Sequence, residues 1–319
     1  MSDTHTFIHG DLLKKCPPEI DTDKWNLFLE EMDRASNMES LDHPVQIDVE
    51  LNSGCNMKCP FCLHGYEDIT NKNIGIDTYH KIIDEAVEIG VTSLKLNYIN
   101  EPMLRKDLED CIRYAKDKGI LNIYLATNGS LLNAKRRKSM LESGITKIFI
   151  SIDAITPETY NLQRLDGRYR LVVENVCALI KERNELGRQF PIIRVSFLKN
   201  TLNLHEAQEF EDYWKDKADI IAFQKMNEVP DRNTGLAIKD LVVPDEGCQF
   251  PFKQLVVETT GNILPCCKLS GKKLVIGNIK DMTLNEAWNS NSMKSLQKMH
   301  ASDDWKKHKI CFDCIMCGE

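Results

Sequence analysis

From Val45 onward, short apolar runs alternate with longer segments in which apolar residues recur every three or four positions. The short runs are rich in β-branched residues and predict strands, whereas the i, i+3, i+4 spacing predicts amphipathic helices. The predicted strands are Val45–Leu51, Ser93–Asn97, Asn122–Ala126, Lys147–Ser151, Ile192–Phe197 and Ile220–Gln224. The predicted helices between them are Asp77–Ile89, Leu104–Lys118, Leu132–Ser143, Leu171–Leu186 and Leu204–Lys217. This alternation is typical of βα units around a parallel sheet.

About six strands with five intervening helices are too few for a closed eight-fold barrel. The expected fold class is therefore α/β, with a partial (β/α)6 TIM-like barrel over residues 45–229. Its working face should lie at the carboxyl ends of the strands. Residues 1–44 show weak periodicity apart from an amphipathic stretch around Trp25 to Met32, and we expect an N-terminal lead-in without a chemical role.

After Val229 the βα rhythm stops, and residues 230–319 are expected to form a small C-terminal α+β module. A connector is predicted at Asp231–Asp245. Gln254–Glu258 and Asn262–Pro265 are joined by Thr-Thr-Gly and predict a β-hairpin. Two short helices, around Leu284–Asn289 and Ser292–His300, complete the module.

Composition restricts the partners and the compartment. The 319 residues carry a formal net charge of -7, which argues against the dense basic surface that nucleic acid and anionic lipid require. The N-terminus lacks the basic flank and apolar run of a secretory signal, and no stretch is apolar for the roughly 18 residues of a membrane span. We therefore expect a cytoplasmic protein with no nucleic-acid and no membrane partner.

The cysteines cluster in two places. Of 12 cysteines, three lie between positions 55 and 62 and six lie after position 247, while Cys16, Cys111 and Cys177 stand alone. In a reducing compartment, clustered thiols indicate metal binding or catalysis rather than disulfides.

The first cluster is Cys55-Asn-Met-Lys-Cys59-Pro-Phe-Cys62, immediately after the first predicted strand. Three thiolates in one loop can each bind one iron of a cubane cluster and leave the fourth iron without a protein ligand. Zinc held by the three cysteines and His64 is the alternative, since zinc usually takes four ligands. The position at a strand end, where barrel enzymes keep their reactive centres, favours the iron cluster.

This loop, with Phe61 before its last cysteine, resembles the hallmark of the radical S-adenosylmethionine (SAM) superfamily, and the resemblance runs from about Val45 to Gln224. It implies that Cys55, Cys59 and Cys62 hold a 4Fe–4S cluster whose open iron binds SAM. The motifs that follow successive strands resemble the SAM-binding elements of the family. They comprise Asn100-Glu101-Pro102, in which Asn100 replaces the usual Gly, then Thr127-Asn128-Gly129, then Ser151-Ile-Asp153 and the downstream Arg164.

In the family, the Glu of the first motif binds the SAM amino group, and the Ser-x-Asp motif with its downstream Arg reaches the ribose and carboxylate. The resemblance therefore implies a cofactor-binding set of Phe61, Asn100, Glu101, Thr127, Asn128, Ser151, Asp153 and Arg164. Two alternatives stay open: Asp153 could cap the next helix, and Arg164 could belong to a surface ion pair.

The second cluster contains Cys248, Cys266, Cys267, Cys311, Cys314 and Cys317, and its spacing fits either zinc or a fully ligated iron–sulfur cluster. The run from Cys248 through Gly261-Asn-Ile-Leu-Pro-Cys266 to Cys311-x2-Cys314 resembles SPASM and twitch domains. Because the chain ends soon after Cys317, the resemblance implies one auxiliary 4Fe–4S cluster, as in the subclass of the butirosin-pathway scyllo-inosamine dehydrogenase. Cys248, Cys266, Cys311 and Cys314 are the expected ligands, with Cys267 and Cys317 as substitutes.

The resemblance implies an oxidoreductase that uses a 5′-deoxyadenosyl radical to take a hydrogen atom from a small molecule, sugar-like or aminocyclitol-like. The auxiliary cluster would then accept an electron and complete a two-electron dehydrogenation, with a flavodoxin or ferredoxin as the reducing partner. The short lead-in favours a small molecule over a precursor peptide. The alternatives are a peptide or protein maturase that forms C–S or C–C bonds or epimerises, and a zinc-stabilised binding protein. No general base is assigned, although His64, Tyr98, Lys225 and Glu228 lie near strand ends.

Overall fold

A ten-stranded sheet organises the protein in the computed structural model, which describes residues 5–165, 167–226, 228, 232, 234–238 and 246–316. Its strands are β1 (His5–Ile8), β2 (Gln46–Val49), β3 (Ser93–Lys95), β4 (Asn122–Thr127), β5 (Lys147–Ser151), β6 (Ile192–Lys199), β7 (Ile220–Lys225), β8 (Gln254–Val257), β9 (Asn262–Leu264) and β10 (Gly277–Asn278). They lie in the order β1-β7-β6-β5-β4-β3-β2-β8-β9-β10. Strands β2 to β7 pair in parallel with their neighbours, as the βα alternation predicts.

The helices of the described residues alternate with the strands of the barrel and then cluster after β10. They are α1 (Thr22–Ser36), α2 (Ile76–Glu88), α3 (Leu108–Lys118), α4 (Ala134–Glu142), α5 (Pro157–Gln163), α6 (Tyr169–Glu185), α7 (Ala207–Trp214), α8 (Phe250–Lys253), α9 (Leu284–Trp288), α10 (Asn291–His300) and α11 (Lys309–Met316). None of the helices in this described part is long and apolar enough to cross a membrane.

Side chains alternate between the two faces of the sheet along each barrel strand. On one face, residues such as Leu94, Ile123 and Ile148 are buried in a single core with residues of α2, α3, α4, α6 and α7. The opposite face, which we call the inner face, carries mostly polar side chains. Its polar and aromatic members include Gln46, Asp48, Ser93, Lys95, Asn122, Tyr124, Lys147, Phe149, Arg194, Ser196 and Gln254. Ile192, Ile220 and Ala222 share this face by register. We call the edge of the sheet at the carboxyl ends of β2 to β6 the mouth.

Some helices differ from the sequence prediction at their ends. The predicted helix Leu104–Lys118 is a 3-10 turn at Pro102–Leu104 followed by α3, because Arg105 has an extended backbone with ψ 127°. Helix α5 was not predicted; Thr156 caps it and Pro157 begins it, both favourable residues at those positions. The predicted helix Leu204–Lys217 likewise begins as a 3-10 turn and ends earlier, at Trp214.

The N-terminal segment is more ordered than the weak periodicity of residues 1–44 indicates. Strand β1 pairs antiparallel with β7, and α1 buries Trp25 and Phe28. The Trp25 indole donates a hydrogen bond to the Lys14 carbonyl at 2.8 Å. Its ring also covers the Lys147 ammonium at 5.1 Å, at the amino end of β5. The segment therefore covers the end of the inner face opposite the mouth.

The C-terminal module is joined to the barrel through the sheet. Strand β8 pairs in parallel with β2, and the predicted hairpin is present as β8 and β9, with β10 added antiparallel to β9. Gly261 takes a left-handed backbone (φ 87°) at the hairpin turn, which favours glycine. Most of the predicted connector Asp231–Asp245 lies outside the described residues. The predicted domain boundary between residues 229 and 230 lies wholly outside them.

Candidate active site

The three loop cysteines lie at the mouth, directly after β2. Cys59 is buried, Cys55 and Cys62 are half-buried, and the amide of Cys62 donates to the carbonyl of Cys59 at 3.1 Å. Burial raises the pKa of Cys55 to about 11 and that of Cys59 to about 12, and neighbouring thiolate charges add to both shifts. Three crowded thiols of this kind ionise readily only if a cation compensates their charge, which is the condition that iron binding provides.

The loop is anchored to neighbouring strand ends by asparagines. Asn52 donates to the carbonyls of Gly54 at 3.2 Å and Glu101 at 3.1 Å, and Asn128 donates to Asn56 at 2.8 Å. A Cβ on Gly65 would lie 2.3 Å from the Cys59 carbonyl oxygen, so this position accepts only glycine without a rearrangement of the loop. The asparagine bonds thus fix the loop cysteines relative to the ends of β3 and β4.

Glu101 brings two of the predicted motifs together. Its carboxylate accepts hydrogen bonds from the Thr127 hydroxyl and the Asn128 amide, each at 2.7 Å, and from the Met103 amide at 3.1 Å. Burial raises its pKa, while these hydrogen bonds oppose the shift. Asn100, at the position of the family Gly, accepts from the Tyr98 amide at 2.9 Å and donates to Asn52 at 3.0 Å. The Asn side chain therefore closes this turn with its own hydrogen bonds.

Asp153 and Arg164 form a buried ion pair next to the cysteine loop. Their exposed fractions are 1% and 6%, and the Arg164 Nη1 lies 3.8 Å from the Cys59 sulfur. Asp153 also accepts from the Leu198 amide at 2.7 Å and has a left-handed backbone (φ 65°). Burial is the largest single influence and lowers the pKa of Arg164, but the charges of Asp153, Cys59 and Tyr160 together outweigh it and raise the pKa. The two alternative roles considered from the sequence are therefore wrong. Asp153 does not cap the next helix, because Thr156 caps α5, and the ion pair of Arg164 is buried rather than at the surface.

Four buried polar atoms around these residues have no hydrogen-bond partner among the described residues. They are His64 Nε2, Tyr160 OH, Arg164 Nε and Ser196 Oγ. Each such atom costs about 1–3 kcal/mol unless a ligand pairs with it. Because they surround a loop of three thiols, the site fits an iron–sulfur cluster together with a polar organic ligand.

The remaining predicted residues lie at the same mouth. Ser151 ends β5 and stands opposite Ser196 of β6, and Phe61 is partly exposed in the turn before Cys62. The sequence analysis did not identify Ser196, and it assigned no role to Tyr160, which lies between Asp153 and Arg164 in the chain. The signal that could have identified Ser196 is the alternation of polar Arg194 and Ser196 with apolar residues along β6.

A second group of thiols lies in the C-terminal module. Cys248, Cys266, Cys311 and Cys314 line one cavity together with Pro265 and His300. Burial raises the pKa of Cys248 and of Cys311 to about 12, and Cys314 adds to both shifts. A Cβ on Gly271 would lie 2.7 Å from the Cys266 sulfur, so glycine is needed beside this thiol.

The structure separates the neighbouring cysteines 266 and 267. Cys267 does not line the cavity; its thiol hydrogen-bonds Gln254 and interacts with Lys95 and Asp48 of the inner face. Cys317 lies outside the described residues. Within the described ranges, no three His, Cys, Asp or Glu side chains converge closely enough to hold one metal ion. Of the predicted ligands and their substitutes, the four expected ligands are therefore the ones found facing one cavity.

Four residues near strand ends were considered as the general base, and none of them has a position in the structure that assigns it that role. The Tyr98 hydroxyl donates to the Lys268 carbonyl at 2.8 Å, and burial raises its pKa. Glu228 accepts from the Thr234 hydroxyl at 2.6 Å, His64 is buried with a lowered pKa, and Lys225 is exposed at the end of β7.

Comparison with known proteins agrees with this arrangement. The model of the radical SAM superfamily matches residues 49–210, and the SPASM model, an iron–sulfur cluster-binding domain, matches residues 248–315. Among curated relatives, a probable GTP 3′,8-cyclase of Methanococcus maripaludis (strain C5) is 31% identical over 160 residues, 50% of this chain and 51% of the relative. The tungsten-containing aldehyde ferredoxin oxidoreductase cofactor-modifying protein of Pyrococcus furiosus is 27% identical over 169 residues, 52% of this chain and 46% of the relative. The chain thus spans about half the length of the curated relatives it matches.

Solved structures share the fold over most of this chain. BtrN in complex with AdoMet and 2-DOIA has a TM-score of 0.55 at 20% identity and covers 84% of this chain and 91% of its own. Native anSMEcpe with bound AdoMet and Cp18Cys peptide has a TM-score of 0.60 at 17% identity and covers 86% of this chain and 88% of its own. At these identities the likeness extends to the architecture of barrel and module.

Proposed function

The chain belongs to the radical SAM superfamily, and from that membership we propose that it is an oxidoreductase that dehydrogenates a sugar-like small molecule. Its cofactors are SAM and a 4Fe–4S cluster, and its C-terminal SPASM-type module binds an auxiliary iron–sulfur cluster. The observation that carries the proposal is that two clusters of cysteines lie near the same sheet. The three loop cysteines are at the mouth, and the four cavity cysteines are beside the inner face.

The residues at the mouth would hold the cluster and SAM. Cys55, Cys59 and Cys62 would bind three irons, which leaves the fourth for SAM. When bound, this pair of cofactors supplies the 5′-deoxyadenosyl radical that takes a hydrogen atom from the substrate. The protein contributes orientation and the exclusion of water.

The charges at the mouth match the amino-acid end of SAM. Glu101 provides a buried carboxylate for the ammonium group, and Thr127 and Asn128 fix that carboxylate with hydrogen bonds at 2.7 Å. Arg164 provides a buried guanidinium for the carboxylate and ribose, and Asp153 keeps it charged. Glu101 has hydrogen bonds but no ion-pair partner among the described residues, and a buried charge is costly unless it is paired, which favours a ligand with an ammonium group over a neutral one.

The auxiliary site supports an oxidation over an isomerisation. Cys248, Cys266, Cys311 and Cys314 would hold the auxiliary cluster, which would supply an acceptor for the second electron. The next residue, Cys267, already belongs to the inner face through Lys95 and Asp48. Cys266 of the cavity and Cys267 beside the inner face are adjacent in the chain, so an auxiliary cluster in the cavity would lie next to the inner face.

The reaction balances as a two-electron oxidation. The substrate would lose one hydrogen atom to the 5′-deoxyadenosyl group that SAM supplies, one electron to an auxiliary cluster held by the four cavity cysteines, and one proton to a base or to water. The electron that reduces the 4Fe–4S cluster comes from a donor of the flavodoxin or ferredoxin class, and we place the reaction in the cytoplasm.

Anaerobic reconstitution tests the proposal. With dithionite and SAM, the wild-type protein should release 5′-deoxyadenosine, and Cys55→Ala should reduce that release to background. Cys177→Ser, on the outer helix α6, is the matched thiol control and should leave the release unchanged. Release by Cys55→Ala at the wild-type rate would overturn the proposal.

The reaction class needs a second measurement. Sugar-like candidates with a single deuterium at the reacting carbon should transfer it to 5′-deoxyadenosine and yield a product two mass units lighter than the unlabelled substrate. Deuterium transfer without loss of two hydrogens, or transfer only from a peptide, would instead support the epimerase or peptide-maturase alternatives.

A further inference from the structure

Arg194 stands apart from the other charged residues of the inner face. It lies in the middle of β6, partly exposed, and its guanidinium carbon stacks 3.5 Å from the centre of the Phe149 ring. Its Nε is buried and has no acceptor among the described residues. Burial lowers its pKa to about 10 with only Tyr124 in opposition, so Arg194 stays charged at neutral pH while no described carboxylate pairs with it.

The neighbouring charges already have partners. Asp48 accepts from Gln46 at 2.6 Å, from Lys95 at 3.3 Å and from Gln254 at 3.4 Å. Lys147 donates to Asn122 and lies under the Trp25 ring, at the end of the inner face away from the mouth. Asp48 is the carboxylate of the described inner face, and Gln46, Lys95 and Gln254 already hold it, so it is not available to pair with Arg194.

Arg194 lies at a distance from the mouth at which it could contact a substrate bound there. In the strand register Phe149 stands opposite Arg194, and Ser151 stands opposite Ser196 one row nearer the mouth. Two residues along a strand span about 7 Å. Arg194 is thus about one small-molecule length below the SAM-binding residues at the mouth.

A half-buried guanidinium without a carboxylate partner loses part of its hydration, and an anionic ligand that pairs with it would offset that cost. The guanidinium is planar and binds carboxylate and phosphate oxygens through two parallel hydrogen bonds. Stacking on Phe149 holds that plane in a fixed orientation before the ligand arrives.

We propose that Arg194 binds an anionic group, a carboxylate or a phosphate, of the substrate. The inference rests on the proposed function and narrows it: the substrate is an acidic sugar-like molecule, such as a sugar acid or sugar phosphate, and not a cationic aminocyclitol. With its anion on Arg194, such a substrate extends towards Ser151 and Ser196 and presents its reacting carbon at the mouth.

Binding to the reconstituted, SAM-loaded protein tests the assignment directly by anaerobic calorimetry. The probes are D-gluconate, D-glucose 6-phosphate, inorganic phosphate, neutral D-glucose and cationic D-glucosamine. At least one anion should bind, and the comparison of gluconate with the two phosphates identifies which anion is preferred. Arg194→Gln should weaken that binding about tenfold or more, because it removes a charge-assisted hydrogen-bond pair. Arg194→Lys should retain part of it.

Arg113→Gln, which removes an exposed cation on the outer helix α3, is the charge-matched control and should bind the anion like the wild type. Arg194→Gln loses the stacking on Phe149 but no ion pair of the described fold, so it should unfold cooperatively with a Tm within about 5 °C of the wild type. This measurement shows whether the variant is folded.

Three results would overturn the assignment. They are equal binding of the anions and D-glucose, equal anion binding by wild type and Arg194→Gln, and a loss of SAM affinity in Arg194→Gln as large as the loss of anion affinity. The last would assign Arg194 to the SAM carboxylate. These outcomes do not depend on 5′-deoxyadenosine release, so failure of the proposed function can be distinguished from failure of this inference.

Discussion

The ion pair between Asp153 and Arg164 offers a sharp test of how the mouth is held together. The two side chains are 1% and 6% exposed, and Arg164 also contacts the Cys59 sulfur at 3.8 Å. Arg164→Gln would leave the Asp153 carboxylate buried without its cation. Asp153→Asn combined with Arg164→Gln would leave two neutral amides that can hydrogen-bond to each other.

The magnitude follows from burial. Removing one member of a buried ion pair costs about 3–5 kcal/mol, whereas replacing both members costs much less. Asp153 keeps its hydrogen bond from the Leu198 amide, so we expect a loss of about 3 kcal/mol for Arg164→Gln. The double variant should lose about 1–2 kcal/mol, which gives a coupling energy of at least about 1 kcal/mol.

Thermal unfolding of the reconstituted protein under anaerobic conditions measures this difference. A loss of about 3 kcal/mol should lower the Tm by roughly 5 °C or more in a chain of this size. Arg113→Gln, which breaks an exposed pair with Asp110, should change the Tm by less than about 1 °C. If the double variant melts lower than Arg164→Gln, the two side chains do not compensate each other and the reasoning is refuted.

Three further predictions concern other parts of the molecule. Burial lowers the pKa of Lys147 to about 7, so the unfolded chain binds a proton that the folded chain releases, and stability should rise from about pH 7 to pH 10. Lys147→Met should remove this rise in urea titrations and stabilise the protein at pH 7; an unchanged pH profile would contradict the lowered pKa. Asn100→Gly loses two hydrogen bonds of the turn and should cost about 1–2 kcal/mol in unfolding free energy, with a several-fold weaker SAM affinity by calorimetry; an unchanged affinity would show that the Asn is incidental. Gly271→Ala places a Cβ 2.7 Å from the Cys266 sulfur, so iron analysis should show about half the wild-type iron, whereas Gly75→Ala, with no atom nearer than 3.6 Å, should retain all of it.

Much of the barrel could be predicted because its strands have a strong local signal. Strand β5 has the predicted bounds, Lys147–Ser151, since apolar residues fill its helix-covered face and turn residues flank it. The order of the mouth motifs was also predictable, because residues that follow successive parallel strands meet at one edge.

What sequence could not supply is pairing between distant segments. Strand β8 pairs with β2 although Gln254 and Gln46 are more than two hundred positions apart in the chain, and no local pattern encodes that contact. The same holds for β1, which pairs with β7 although His5 and Gln224 are far apart in the chain. Arg194 reads as an ordinary polar strand residue until the structure shows that its neighbours leave it without a counter-charge.

The parallel contact between β8 and β2 has a consequence for how the chain reaches its native state. Because the first strand of the C-terminal module completes the edge of the barrel, a shortened chain ending near residue 245 would leave the backbone donors and acceptors of β2 exposed. Such truncation products should self-associate through that open edge, so the edge of the barrel is protected only after the residues of β8 have been synthesised.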